Sequence, residues 1–430
     1  IKMRSLAFLL LVCSCSLVAA YHRVCYFTNW AQYRPDPVKF LPKDIDPLLC
    51  THIVYAFAKI DPATNKIGTY EWNDDRLYKE INDLKLKNPS LKTLLAVGGW
   101  NHESGPVSPF SQMVASKSNR TTFISSLLQL SDKYDFDGFD LDWEYPASRG
   151  NSPPQDKQHF TILCEEMLDA FKRKAADTDK PRMLLTAAVS AGHGTVDAAY
   201  EVHKLAGILD WINLMTYDLH GPWEPYTGHH TALVGPPGDK LTVSYAVKYW
   251  MEKGMPCGKI ALGMANYGHA FELSDPTKTA LGAPANVNKG RSYPYYELCK
   301  LPLTKVTDNP AKAPYGYHGS QWIAYDDVTS LGRKVELIKK ENLLGAMFWA
   351  IDLDDFGNVC GQGAHPLMGA VRYMLEGGGV MPPTLAPGVP TTIKPTCKAA
   401  GVWAGNVGMD SWCVNNCALG NCPPTICVCA

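Results

Sequence analysis

The sequence predicts an α/β fold: a (β/α)8 TIM barrel with a small α+β insertion between its seventh strand and seventh helix, followed by a small disulfide-rich C-terminal module. Three observations lead there. Eight short runs rich in Val, Ile, Phe and Tyr alternate with stretches of helical periodicity, the pattern of a parallel sheet with crossover helices. About seventy-five residues separate the seventh run from the eighth, more than one helix and two loops require. Six cysteines fall within residues 397–429, a density typical of a module held by disulfides rather than by a core.

The predicted strands run from Val24 to Trp30, His52 to Ile60, Lys92 to Trp100, Phe136 to Tyr145, Met183 to Ser190, Trp211 to Asp218, Lys259 to Gly268 and Gly345 to Asp355. Between the fourth and fifth, Phe160, Leu163, Cys164, Met167, Leu168 and Phe171 recur at three and four residue steps, one apolar helical stripe that makes Cys164 a buried thiol. The insertion is expected at about 270–335, with Gln321-Trp322-Ile323-Ala324-Tyr325 among its strand-like pieces.

Outside the barrel domain, 21–376, the composition changes. Met3-Arg4-Ser5, the apolar run Leu6 to Val12 and the small residues up to Ala20 have the order of a cleavable signal peptide, 1–20. The protein is therefore expected to be secreted, and its remaining cysteines to form disulfides. Residues 377–396 hold four Gly, five Pro and four Thr with Lys394 the only charge, an extended linker. The Cys-rich module, 397–430, has spacing that leaves 15 pairings open. Its Trp403 and Trp412 suit either an exposed binding surface or a minimal core.

A formal net charge of −1 with 19% charged residues creates no field that would attract nucleic acid or an anionic membrane. No run beyond the leader is long and apolar enough to span a bilayer. Neither partner is expected, a monomer is, and an uncharged substrate suits the chain.

The chemistry is concentrated in Phe136-Asp137-Gly138-Phe139-Asp140-Leu141-Asp142-Trp143-Glu144-Tyr145-Pro146. Strand side chains alternate with period two, so Asp140, Asp142 and Glu144 share one face and Leu141 and Trp143 the other. Burying the apolar pair against the helices turns the acids into the barrel. Three stacked carboxyls repel one another and lose water, which raises at least one pKa and keeps a proton available for donation. Glu144, nearest the C-terminal end where barrel active sites are built, is the donor. A solvated acidic edge is ruled out by the apolar partners, and a hard-cation site lacks matching ligands elsewhere. Neither metal nor cofactor is expected.

This segment carries the DxxDxDxE pattern, and the chain resembles glycoside hydrolase family 18 from Tyr21 to about Glu376. Cys25-Tyr26-Phe27-Thr28-Asn29-Trp30, Val97-Gly98-Gly99-Trp100, Met215-Thr216-Tyr217-Asp218-Leu219-His220-Gly221 and Trp349-Ala350-Ile351-Asp352-Leu353-Asp354-Asp355 carry the same likeness in barrel order. The resemblance implies an endo-acting chitinase with chitin and chito-oligosaccharides as partners and a retaining, substrate-assisted mechanism. Glu144 would protonate the glycosidic oxygen and the substrate's own acetamide would close to an oxazolinium ion. It also implies that Asp142 orients the acetamide, Asp140 shares a proton or hydrogen bond with Asp142, and Tyr217 donates to the acetamide oxygen. Met215, Asp218 and Tyr267 would line the pocket. Pyranose faces stack on aromatic rings, and Trp349 is expected as the floor and Trp100 as a rim platform, with Trp30, Trp223 and Tyr145 as further subsites and Trp143 left to the core.

Further implications of the resemblance are disulfides Cys25–Cys50 and Cys299–Cys360, free buried thiols at Cys164 and Cys257, and cis peptides at Ala56-Phe57, Glu144-Tyr145 and Trp349-Ala350. Two departures matter. His269 resembles acid-adapted members, yet Asn213 stands where those carry a second histidine, which predicts an acid-tolerant rather than strongly acid-shifted optimum. The insertion is short around Gly282 to Tyr295, which bears on cleft depth. Two rivals remain. A chitinase-like lectin that binds chito-oligosaccharides without cleaving them is opposed by intact Glu144, Asp142 and Tyr217. An endo-N-acetylglucosaminidase acting on glycoproteins is opposed by the Trp-rich strand ends.

Overall fold

The computed structural model describes residues 21–378 together with 397–399, 413 and 427–429. The expected signal peptide, nearly all of the linker, and Trp403 and Trp412 lie outside the described residues.

Eight parallel strands close on themselves: β1 His22–Thr28, β2 His52–Asp61, β3 Lys92–Gly98, β4 Gly138–Asp142, β5 Leu184–Ser190, β6 Trp211–Met215, β7 Ile260–Ala265 and β8 Gly345–Trp349. Each pairs with the next, and β1 pairs with both β2 and β8. Period-two alternation then separates two cores. Cys25, Phe27, Tyr55, Leu95, Leu141, Leu214, Leu262 and Phe348 pack outward on the helices, while Val24, Tyr26, Val54, Leu94, Ala96, Trp211 and Met347 fill the interior. The stripe carrying Cys164 lies on the helix Asp156–Thr178, where Leu168 is only half-buried.

All eight predicted strands exist, but several overran at their C-terminal ends. Aromatic and acidic residues there belong to the loops of the barrel mouth: β4 stops at Asp142, β6 at Met215 and β8 at Trp349. The seventh predicted strand is two elements, β7 and a separate strand Tyr267–Leu273 that begins the insertion. In the insertion, Ala285–Asn286, Tyr267–Leu273, Gln321–Ala324, Ala313–His318 and Thr304–Asp308 lie side by side, antiparallel, around buried Phe271 and Trp322. The last strand of the inserted sheet ends at Ala324, and the helix Val328–Lys340 packs beside Pro366–Leu375.

The disulfides Cys25–Cys50 and Cys299–Cys360 form, and Cys413 pairs with Cys427. Cys164 is a buried thiol, whereas Cys257 is only half-buried, since it falls in the turn entering β7 rather than in the core. The peptides Ala56–Phe57, Glu144–Tyr145 and Trp349–Ala350 are cis.

Candidate active site

The C-terminal ends of the strands bring every predicted site residue to one mouth. Asp140 and Asp142 face inward from β4, and Glu144 and Tyr145 follow its end. Met215 closes β6, with Tyr217 and Asp218 directly after it, and Trp349 closes β8. Trp30 lies in the turn after β1, Trp100 in the turn after β3, and Tyr267 opens the inserted sheet. Trp143 points the other way, stacked on Phe110 at 4.9 Å and fully buried, as parity requires.

The floor is a layer of polar side chains from four strands. Asp140 Oδ2 accepts from Tyr26 Oη at 2.7 Å, and Oδ1 accepts from Asn213 Nδ2 at 3.0 Å and from Thr186 Oγ1. Burial raises the Asp140 carboxyl, and these three donors pull it back toward the ionised form. Among the described contacts Asp140 bonds to Tyr26, Asn213 and Thr186 rather than to Asp142, with which the family resemblance implies a shared proton or hydrogen bond. Tyr26 and Thr186 escaped the sequence reading: one sat inside a quoted motif without a role, and nothing local marks the other.

Asp142, one layer higher, has no such support. Its Oδ1 is buried without a hydrogen-bond partner among the described residues. Burial first, then repulsion from Glu144 and Asp140, holds its carboxyl well above the usual range. The backbone beneath is tight: a Cβ on Gly98, at φ +116°, would come within 2.2 Å of the Asp142 carbonyl oxygen, so only glycine fits there.

Glu144 is raised to about 7, chiefly by burial, with Asp218 and Glu103 adding repulsion and Arg149 opposing it. Glu103, itself buried and hydrogen-bonded to His102 Nδ1 at 2.8 Å, is a third residue the sequence reading missed. Tyr217 Oη meets only the Met347 sulfur, at 3.7 Å, among described contacts; a thioether is a weak acceptor, which leaves the hydroxyl free to donate.

Asp218 sits at the rim, with half its side chain exposed and its backbone at φ 56°. Its Oδ1 accepts from Tyr267 Oη at 2.5 Å and from His269 Nε2 at 2.7 Å. Burial alone would raise this carboxyl, but His230 and His269 beside it hold it well below the usual range.

Aromatic surface surrounds the acids. Trp349 is half-buried against Phe57 and Tyr26, and Trp30, 40% exposed, lies 6.2 Å from it. Trp100 is exposed, with the Arg149 guanidinium 3.4 Å over one ring face. Trp223 edges onto His269. Trp72, the most exposed tryptophan described, stands near the turn carrying Trp30 and Tyr33, since Asn73 Nδ2 donates to Gln32 at 2.7 Å. No periodicity singled it out.

An eight-stranded barrel whose mouth holds inward carboxyls between apolar aromatic platforms defines a (β/α)8 protein with a cleft suited to a carbohydrate. The chain belongs to the glycosyl hydrolases family 18, whose family pattern matches residues 22–354. It is 42% identical to mouse chitotriosidase-1 over 91% of this chain and 85% of that protein. An active, immunomodulatory chitinase from Trichuris suis superposes with a TM-score of 0.78 at 42% identity, covering 83% of this chain and all (100%) of that one. Human YKL-39, described as a pseudo-chitinase with retained chitooligosaccharide binding, gives 0.78 at 41% identity over 83% of this chain and 100% of that one.

Proposed function

We propose that this protein is a secreted chitinase that cleaves β-1,4-linked N-acetylglucosamine polymers with retention of configuration, using the substrate's acetamide as the nucleophile. The carrying observation is Glu144: a carboxyl raised to about 7 at the open end of the barrel, next to Asp142, whose Oδ1 has no hydrogen-bond partner among the described residues. A protonated Glu144 donates to the glycosidic oxygen as the bond breaks. Asp142 Oδ1 accepts the acetamide N–H and offsets positive charge on the closing ring, and Tyr217 Oη holds the acetamide oxygen. Holding the amide against the sugar lowers the entropic part of the barrier. Trp349 supports the sugar from below, and Trp30, Trp100, Tyr145, Met215, Asp218 and Tyr267 line the cleft. Domain 21–376 carries this chemistry, with the residues after 396 as an accessory module.

The pseudo-chitinase among the relatives keeps a second reading open, a lectin that binds without cutting. Wild type and Glu144→Gln assayed on colloidal chitin and chito-oligomers separate the two. Cleavage by the wild type alone, with the β-anomer formed first by NMR, is expected. Binding of oligomers with no product at any pH would make the protein a lectin.

A further inference from the structure

The mouth contains a group that proton donation does not use. His230 is fully buried, and among the described residues neither ring nitrogen has a hydrogen-bond partner. Two orphaned nitrogens in one buried ring are costly and call for an explanation. The ring lies 4.9 Å from that of His269, and its Nδ1 is 3.8 Å from Asp218 Oδ1, beyond hydrogen-bond reach. Ligand atoms of Asp218, His230 and His269 all lie within 4.8 Å of one another. We propose that Asp218, His230 and His269 form a binding site for a divalent transition cation of the zinc class at the rim of the cleft.

Two imidazoles and one carboxylate are the donor set such ions prefer. Ligands on zinc sit about 3.3 Å apart at tetrahedral angles, so Asp218 and His269, 2.7 Å apart, must open slightly while His230, 3.8 Å from Asp218, draws in by a similar amount. Asp218, half exposed, leaves a side open for water. Support from behind is in place: Ser292 Oγ meets His269 Nδ1 at 3.0 Å and turns Nε2 toward Asp218. Leu219 N donates to His230 O at 3.0 Å, which ties the two loops together. Burial lowers His230 to about 4, so the ring is a neutral ligand near neutrality. The charge brought in meets Asp218 and, nearby, Glu144. The sequence reading expected no metal because it had no reason to bring His230 beside His269.

The site goes beyond the hydrolase reading; only its consequence rests on that reading. A cation would hold Asp218 away from the sugar and inhibit hydrolysis reversibly.

The test titrates the metal-stripped full-length protein with Zn²⁺ by calorimetry and with Co²⁺ by visible absorption near neutral pH. One equivalent of each is expected, without the thiolate-to-cobalt band that Cys257 would give. His230→Asn and Asp218→Asn should each weaken zinc binding by about a hundredfold, with melting of the metal-free protein reporting the fold. If His230→Asn fails to fold, the rim variant Asp218→Asn decides. In the wild type, zinc should slow oligomer cleavage by about tenfold, reversed by a chelator. Absence of saturable binding, or binding unchanged in a folded variant, overturns the proposal. A protein that binds zinc at this site but never cuts chitin refutes the hydrolase reading and leaves the site standing.

Discussion

Two sets of buried carboxylates lie in the barrel and its surroundings, and they differ in what faces them. Away from the cleft, Asp326 meets the buried ammonium of Lys334 and accepts from Thr231 and Ser330. Asp352 meets Arg34 at 2.7 Å and accepts from Thr28 Oγ1 at 2.8 Å. Asp354 meets no cation among the described residues, yet backbone N–H groups of Asp355 and Met368 donate to it at 2.8 and 3.0 Å, next to the start of the helix Pro366–Leu375. In the cleft, Asp142 has neither cation nor donor on Oδ1. Asp354 is also raised to about 7 by burial, so an elevated carboxyl does not by itself mark a site. What separates the sets is completeness of pairing. Acids with both oxygens engaged by cations, hydroxyls or backbone donors fasten the fold, and one left incomplete at an open mouth is available to a substrate.

The sharpest way to break this comparison is Glu144→Gln. Removing a general acid is expected to lower kcat by about a thousandfold, measured by release of reducing ends from chito-oligomers. Stability should move the other way. Glu144 has a folded pKa above its unfolded value, so the native state binds the extra proton, and stability falls as pH rises from the ordinary carboxyl range through about 7. Glutamine removes that loss, so melting above about pH 7 should match or exceed the wild type. A variant that is markedly less stable there would place Glu144 among the fastening acids.

Lys334→Met inverts the pattern. It strands Asp326 without its cation, and a broken buried pair costs about 3 to 5 kcal/mol. Urea denaturation should read that loss, while the folded fraction keeps its kcat because the pair lies in the fold rather than at the acids. Tyr26→Phe falls between the two classes. It removes the donor to Asp140 and an acceptor for Asn213 Nδ2, 3.0 Å away. A stability loss of about 1 to 2 kcal/mol is expected, together with a lower kcat at nearly unchanged KM.

The comparison also explains what the sequence made legible. Parity along β4 placed Asp140 and Asp142 inward and Leu141 and Trp143 outward, since period two is a local property of the strand. The eight strands and the insertion followed from local patterns as well. Tyr26, Thr186, Glu103 and His230 were invisible as site residues because each meets the acids or the rim only after the barrel closes. Closure joins β1 to β8 and fixes which rungs of β4, β5 and β6 face one another. Strand ends overran because Trp, Tyr and Phe are strand formers by propensity and sugar platforms by placement, and propensity cannot tell the two apart.

The smallest expected effect is also the most specific. If Glu144 is the proton donor, kcat/KM falls as pH rises through about 7, the macroscopic value belonging to the pair it forms with Asp142. Asp218 and Glu103 push that limb up and Arg149 pulls it down. Asp218→Asn should therefore move the alkaline limb to lower pH. Arg149→Gln should move it to higher pH, although it also strips the guanidinium from Trp100 and is expected to raise KM. Simple damage to the cleft would lower both profiles without displacing them. Opposite displacements by two substitutions on different loops follow only from charge acting on one titrating carboxyl, and parallel shifts would assign the limb to another group.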